Sequence, residues 1–143
     1  MSNTLLPMEP RFAAVASEAM PVALFAKSLV DPEPSLASHA VDTTLFAAGM
    51  AENILNTREA VKQRDPVAFT LAAGLSYVYW SATVNHIESM NADSRPNWGA
   101  YPLKQRFAGA LACGAFSAAQ RVIDTRLGKL EPTSCRVREY PEY

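Results

Sequence analysis

Apolar and polar positions divide this chain into helix-length segments, and proline marks where each begins. Prolines at 7, 10, 21, 32, 34, 66, 96, 102, 132 and 141 leave uninterrupted intervals at 35–65, 67–95 and 103–131. Each interval opens just after a proline. Proline suits a first helical turn but costs about 3 kcal/mol in a helix interior, so the spacing predicts helix starts.

In the first interval Val41, Leu45, Ala48 and Leu55 follow the spacing of one helical face, and Phe46, Met50 and Ile54 add an adjoining stripe. Ser35 is placed to cap the N-terminus. Asn56 followed by Glu59 resembles a capping pattern, so 36–62 reads either as one helix or as two with a break near Asn56. The second interval opens on Asp65-Pro66, an N-cap residue and a first-turn proline. Residues 66–87 then hold no Asp, Glu, Lys or Arg, and apolar side chains fall all round the helix. Such a helix is the buried centre of a bundle or a membrane span. Thr70, Ser76, Ser81, Thr83, Asn85 and His86 are many polar groups for lipid, and no basic cluster flanks them. The sequence therefore predicts a central buried helix at 66–90.

The third interval carries a stripe of Leu103, Phe107, Leu111, Gly114, Ala118 and Val122. Its many small residues, Gly109 and Gly114 among them, predict close approach of a neighbouring helix. Gly128 fits the position just past a helix end, with Pro132 soon after. That places the helix at 103–127. Pro10 and Pro21 predict two shorter helices at about 10–19 and 21–30. Residues 1–9 read as flexible, 91–102 as a loop and 131–143 as an extended polar tail. The expected fold is all-α: one domain, 1–143, an up-and-down bundle of about five helices.

Composition supports the class. The chain has 24 Ala against 10 Val and 3 Ile, which favours helix over strand. Hydrophobic residues make up 49% and charged residues only 19%, a balance that leaves apolar surface for an oligomer or partner to cover. Net charge is −1, so no global field draws nucleic acid or an acidic membrane. Residues 1–65 hold five basic and eight acidic residues and 66–143 hold eight and six, a mild split. Arg121, Arg126, Lys129, Arg136 and Arg138 cluster late in the chain. They interleave with Asp124, Glu131 and Glu139, as on a salt-bridged surface rather than a phosphate track. Two cysteines are too few for a disulfide framework, and the N-terminus lacks a secretory pattern. The expected setting is cytoplasmic, with neither membrane nor nucleic acid as partner. The alanine-rich style is one met in bacterial and phage proteins, and it points to no family.

Catalytic signatures are missing. His39 and His86 lack the helical spacing of metal ligands, and no Glu-x-x-His pattern occurs, so no metal or other cofactor is expected. There is no nucleophile elbow and no glycine-rich phosphate loop. Cys113 lies among alanines, where a thiol is usually a small hydrophobe. Glu52, Glu59, Glu88 and Asp93 give no recognisable acid–base pair.

Aromatic residues stand out instead. Arg95, Trp98 and Tyr101 sit in a proline-flanked loop, and Tyr140 and Tyr143 in the tail, the residue types of binding hot spots. Trp98 tucked into the bundle as a staple is the competing reading. The expected function is a non-enzymatic protein–protein interaction module: an inhibitor, immunity protein, adaptor or assembly component, with homo-oligomerisation as one form. A small-ligand or regulatory domain is the alternative, its pocket lined by Tyr77, Tyr79, Trp80 and His86. An enzyme of unfamiliar type is the third.

Overall fold

A computed structural model describes residues 10–30, 35–92 and 102–130. They form four helices: α1 Pro10–Val30, α2 Leu36–Gln63, α3 Pro66–Ala92 and α4 Leu103–Arg126. No strand occurs among the described residues. The expected loop around Trp98 and the tail from 131 lie outside the described residues, as do residues 1–9.

The helix ends follow local chemistry. The Ser38 N–H donates to the Ser35 hydroxyl at 3.1 Å, which caps α2. The Val67 and Ala68 N–H groups both donate to Asp65 Oδ1 at 3.0 Å, which caps α3. Between them Arg64 takes a left-handed conformation, φ 55° and ψ 39°. This lets the Asp65 N–H reach back to the Ala60 carbonyl at 2.9 Å. A side chain in that conformation costs roughly 1 kcal/mol. Replacing Arg64 with glycine is therefore expected to stabilise the fold by up to about 1 kcal/mol, read as a higher midpoint of thermal unfolding. At the far end of α4, Gly128 has φ +73° and sits just past the helix. The Lys129 N–H then donates to the Asp124 carbonyl at 2.9 Å.

Two expectations about the helices need correction. The two short N-terminal helices are one, because α1 runs through Pro21. Proline removes the N–H that the Ser17 carbonyl would accept and crowds the adjoining turn. That turn gains a donor from outside: the Ser117 hydroxyl of α4 bonds to the Glu18 carbonyl. The bundle thus has four described helices rather than about five. The alternative break at Asn56 is also absent, and α2 is continuous.

Antiparallel contacts set the arrangement. His39 meets His86, and Phe46 meets Tyr79, so α2 and α3 form a hairpin about the Arg64–Asp65 turn. Gly49 allows the close approach, since a Cβ there would lie 3.2 Å from the Tyr79 ring and 2.6 Å from Met20 Cε. Arg126 pairs with Asp65 and so sets α4 antiparallel to α3. Lys27 pairs with Asp42 and Arg121 with Glu18, which places α1 between α2 and α4. The order is up-down-up-down. Packing is tight between α2 and α3 and between α1 and α4. A cleft of about 450 Å³ separates α1 from α2, lined by Ala16, Met20, Ala23, Leu45, Ala48 and Gly49 among others.

The core is thin and contains few large apolar side chains. Ala60, Ala68, Ala72, Leu75, Tyr79, Ile123 and Leu127 are buried together, with Met20, Phe46, Met50, Leu71 and Phe116 against them. The expectation that α3 is buried on every side fails. Tyr77 is 66% exposed and Trp80 51%, with Val67, Phe69 and Ile87 also outside. The apolar stripes of α2 and α4 face outward too. Val41, Leu45, Ile54 and Leu55 are exposed on α2, and Leu103, Phe107, Leu111 and Val122 on α4. Among the small residues of α4, Gly109 is buried but Gly114 faces open space.

Candidate functional site

The inside of the bundle is where the polar residues are. Asn53, Asn56, Gln120 and Asp124 are among the largest fully buried side chains, and His39 and Asp42 are also buried. On α2, Asn53 and Asn56 stand three positions apart and face α4. There Gln120 and Asp124 stand four apart on one helical face.

Their hydrogen bonds run in one direction across the bundle. Lys129 Nζ donates to Asn56 Oδ1. Asn56 Nδ2 donates to Asn53 Oδ1 at 3.4 Å. Asn53 Nδ2 donates to Gln120 Oε1 at 3.0 Å, and also to the Gly49 carbonyl at 3.0 Å. Gln120 Nε2 donates to Asp124 Oδ1 at 3.1 Å. The chain thus begins at an ammonium and ends at a carboxylate, so each amide dipole is aligned by the charges at both ends. Aligned hydrogen bonds reinforce one another where the local dielectric is low. Lys129 also pairs with Glu52, which offsets its charge. The remaining oxygen of Asp124, Oδ2, is buried and meets no partner among the described residues.

A second polar group lies at the opposite end. Lys27 Nζ donates to Asp42 Oδ1 at 2.9 Å and to the Ser38 hydroxyl at 2.7 Å. His39 and His86 meet edge to face with ring centroids 6.0 Å apart, and His86 stacks on Phe46 at 5.2 Å. Between the two polar groups a cavity of about 210 Å³ is lined by Asp42, Phe46, Tyr79, His86, Cys113 and Phe116, with other apolar residues. The Tyr79 hydroxyl is buried and has no partner among the described residues.

The expected ligand pocket is therefore half assembled. Tyr79 and His86 line the cavity, whereas Tyr77 and Trp80 lie outside it, packed on each other at 5.8 Å. Spacing explains the split: 79 and 86 are seven positions apart on one helical face, and 77 and 80 share another. Arg95, Trp98, Tyr101, Tyr140 and Tyr143 lie outside the described residues. Glu52 and Glu59 are engaged in separate places, Glu52 with Lys129 and Glu59 with Lys62. Asp93 lies outside the described residues. Among those residues, no three His, Cys, Asp or Glu side chains come together as a metal site would need. Cys113 is a free, half-buried thiol.

Charges gather at the end of the bundle that carries the α2–α3 turn. The Arg126 guanidinium, with the Ala68 N–H behind it, holds the Asp65 carboxyl below the usual carboxylate range. The Gln63 amide and the Lys62 ammonium do the same for Glu59. Arg121, Arg126 and Lys129 pair with Glu18, Asp65 and Glu52. At these three positions the late basic cluster is salt-bridged to acids of α1, α2 and the α2–α3 turn rather than to its neighbours in sequence.

Two helical segments, Phe12–Val30 and Pro66–Glu88, are long and apolar enough to cross a membrane, yet little of either is buried. The hydroxyls that argued against a span at 66–87 are in part satisfied by their own helix. Thr70, Ser76 and Thr83 donate to the Pro66, Ala72 and Tyr79 carbonyls, four positions back, at 2.7–2.8 Å. The chain matches no protein-family profile, no curated protein and no solved structure.

Sequence reasoning overlooked the amide ladder. Its signal is present, as Asn53/Asn56 and Gln120/Asp124 at helical spacing opposite the apolar stripes. A polar stripe ordinarily marks the wetted side of a helix, so the spacing alone gave no reason to turn it inward.

Proposed function

We propose that this chain is a non-enzymatic interaction module, an adaptor or assembly component, that works through the outer wall of its bundle. One observation carries the reading. Exposed large apolar side chains occur on all four helices, from Phe12, Val15 and Val22 on α1 to Phe107 and Leu111 on α4, while amides and carboxylates occupy the interior. Isolated exposed hydrophobes are normal on a protein surface; a wall of them calls for a covering partner. Arg95, Trp98 and Tyr101, in the segment that the sequence reads as a loop, join this reading as further expected contacts.

Light scattering during gel filtration tests it. In buffer the full chain is expected to elute above the mass of one chain or to need detergent to stay dispersed. A variant with Leu45, Tyr77 and Leu111 all replaced by Gln is expected to keep its helical circular dichroism and elute as a single chain. A wild-type protein that remains one monodisperse chain at micromolar concentration, without detergent, removes the proposal.

A further inference from the structure

We propose that the surface covering this outer wall is a lipid bilayer, with the four helices set across it and the α2–α3 turn at an anionic leaflet. The inference rests on reading the outer wall as a binding surface and names its partner.

On α2 the exposed positions from Leu36 to Leu55 are Leu, Ala, Val, Thr and Ile, with no charged residue over roughly 30 Å of helix. On α1 the exposed positions from Phe12 to Val30 are Phe, Val and Ala. On α3 none from Pro66 to Trp80 is charged. On α4 the uncharged outer band is shorter, from Phe107 to Ala118, bounded by Arg106 and Arg121. Glu18, Asp42, Glu52 and Lys129 turn inward and are paired, Glu18 with the exposed Arg121, Asp42 with Lys27 and Glu52 with Lys129. A protein partner needs one apolar face. Only a solvent that surrounds the molecule asks for apolar residues on every helix at the same height. A hydrocarbon layer is such a solvent, and it forces polar groups into the bundle interior; where the α4 band covers only about 18 Å of helix against the usual ~30 Å, the layer thins or the flanking Arg106 and Arg121 side chains reach out to its surface.

A long apolar helix in a water-filled setting is a core element and is mostly covered. The windows Phe12–Val30 and Pro66–Glu88 are only 17% and 22% buried. Hydroxyls that bond to their own backbone, as at Thr44, Thr57, Thr70, Ser76 and Thr83, leave no donor facing lipid.

Arg58, Lys62, Arg64, Arg121, Arg126 and Lys129 lie at or near the end with the α2–α3 turn, four of them paired with Glu59, Glu18, Asp65 and Glu52, whereas Lys104 and Arg106 lie at the other. Basic residues at one end set orientation in a membrane and attract anionic headgroups. Arg121 stands inside that end by about one turn, and its long stem lets the guanidinium reach the headgroup level.

The test uses the full chain and vesicles of phosphatidylcholine, alone or with one quarter phosphatidylglycerol. The protein is expected to float with both, more fully with the anionic vesicles, and to stay bound in high salt and alkaline carbonate. Trp98→Phe leaves Trp80 as the single tryptophan, on the outer face near the middle of the belt. Its fluorescence is expected to fall at least twofold in phosphatidylcholine brominated near the chain ends, and less when bromine lies near the headgroup. Leu45→Arg, a change an exposed position in water accepts, is expected to reduce the bound fraction about a hundredfold. Folding of that variant is checked in detergent by circular dichroism. Failure to float, release by salt without quenching, or no effect of Leu45→Arg overturns the bilayer assignment. A defined water-soluble oligomer also overturns it while leaving the interaction reading standing. A lone soluble chain that ignores vesicles defeats both.

Discussion

Tyr79→Ala is expected to lower the unfolding free energy by about 4 kcal/mol, the largest effect of any single truncation in this bundle. Tyr79 is 1% exposed and is the largest fully buried side chain. Its ring lies against Phe46 and over the bare face of Gly49, so it joins α2 to α3 at their closest approach. Beside it is already a cavity of about 210 Å³. Truncation enlarges that space, and a thin core of alanines has few long side chains to fill it. Domains are typically stable by only 5–15 kcal/mol, so this loss takes up much of the margin. Tyr79→Phe is the control. The hydroxyl has no partner among the described residues, so its removal is expected to shift stability by no more than about 1 kcal/mol. Thermal or denaturant unfolding followed by circular dichroism reads both. A Phe variant as unstable as the Ala variant means that the hydroxyl, not the ring, holds the site together.

The amide ladder gives the second large effect. Asn53→Leu is expected to destabilise by about 3 kcal/mol. It leaves Gln120 Oε1 and Asn56 Nδ2 buried without the partners they have now, and each orphaned group costs about 1–3 kcal/mol. At this chain length that corresponds to a fall in Tm of roughly 10 °C. Gln120→Leu alone is expected to cost a similar amount, because it strands both Asn53 and Asp124. The double variant is the decisive measurement. With both amides replaced by apolar side chains the shared penalty is counted once, so the double variant is expected to be more stable than the sum of the singles predicts, by about 1–3 kcal/mol. Strict additivity means the two side chains do not communicate.

The same residues show what could and could not be anticipated. Helix positions were legible because their causes are local. Ser35 and Asp65 cap from their own side chains, Pro66 suits a first turn, and Gly128 accepts a positive φ whatever surrounds it. Pro21 was misread for the converse reason. A proline inside a helix is tolerated only where packing compensates, and the contact that α4 makes with this turn, the Ser117 hydroxyl on the Glu18 carbonyl, joins residues 99 positions apart. His39 and His86 show the same limit at the candidate site. They are 47 residues apart in sequence, and only the hairpin brings their rings to 6.0 Å.

By itself, the sequence determined the helical class, the starts of α2, α3 and α4, and the absence of the common catalytic spacings. These follow from proline, alanine and capping chemistry acting within a few residues. Which face of each helix turns inward was decided by the tertiary structure alone. Periodicity shows that Val41, Leu45 and Leu55 share a stripe and that Asn53 and Asn56 share another, but it is blind to the medium outside. The choice was made where Asn53 found Gln120, Lys129 found Asn56 and Lys27 found Asp42. Polar groups that satisfy one another across a bundle can be buried, and the apolar stripes are then left to face whatever surrounds it.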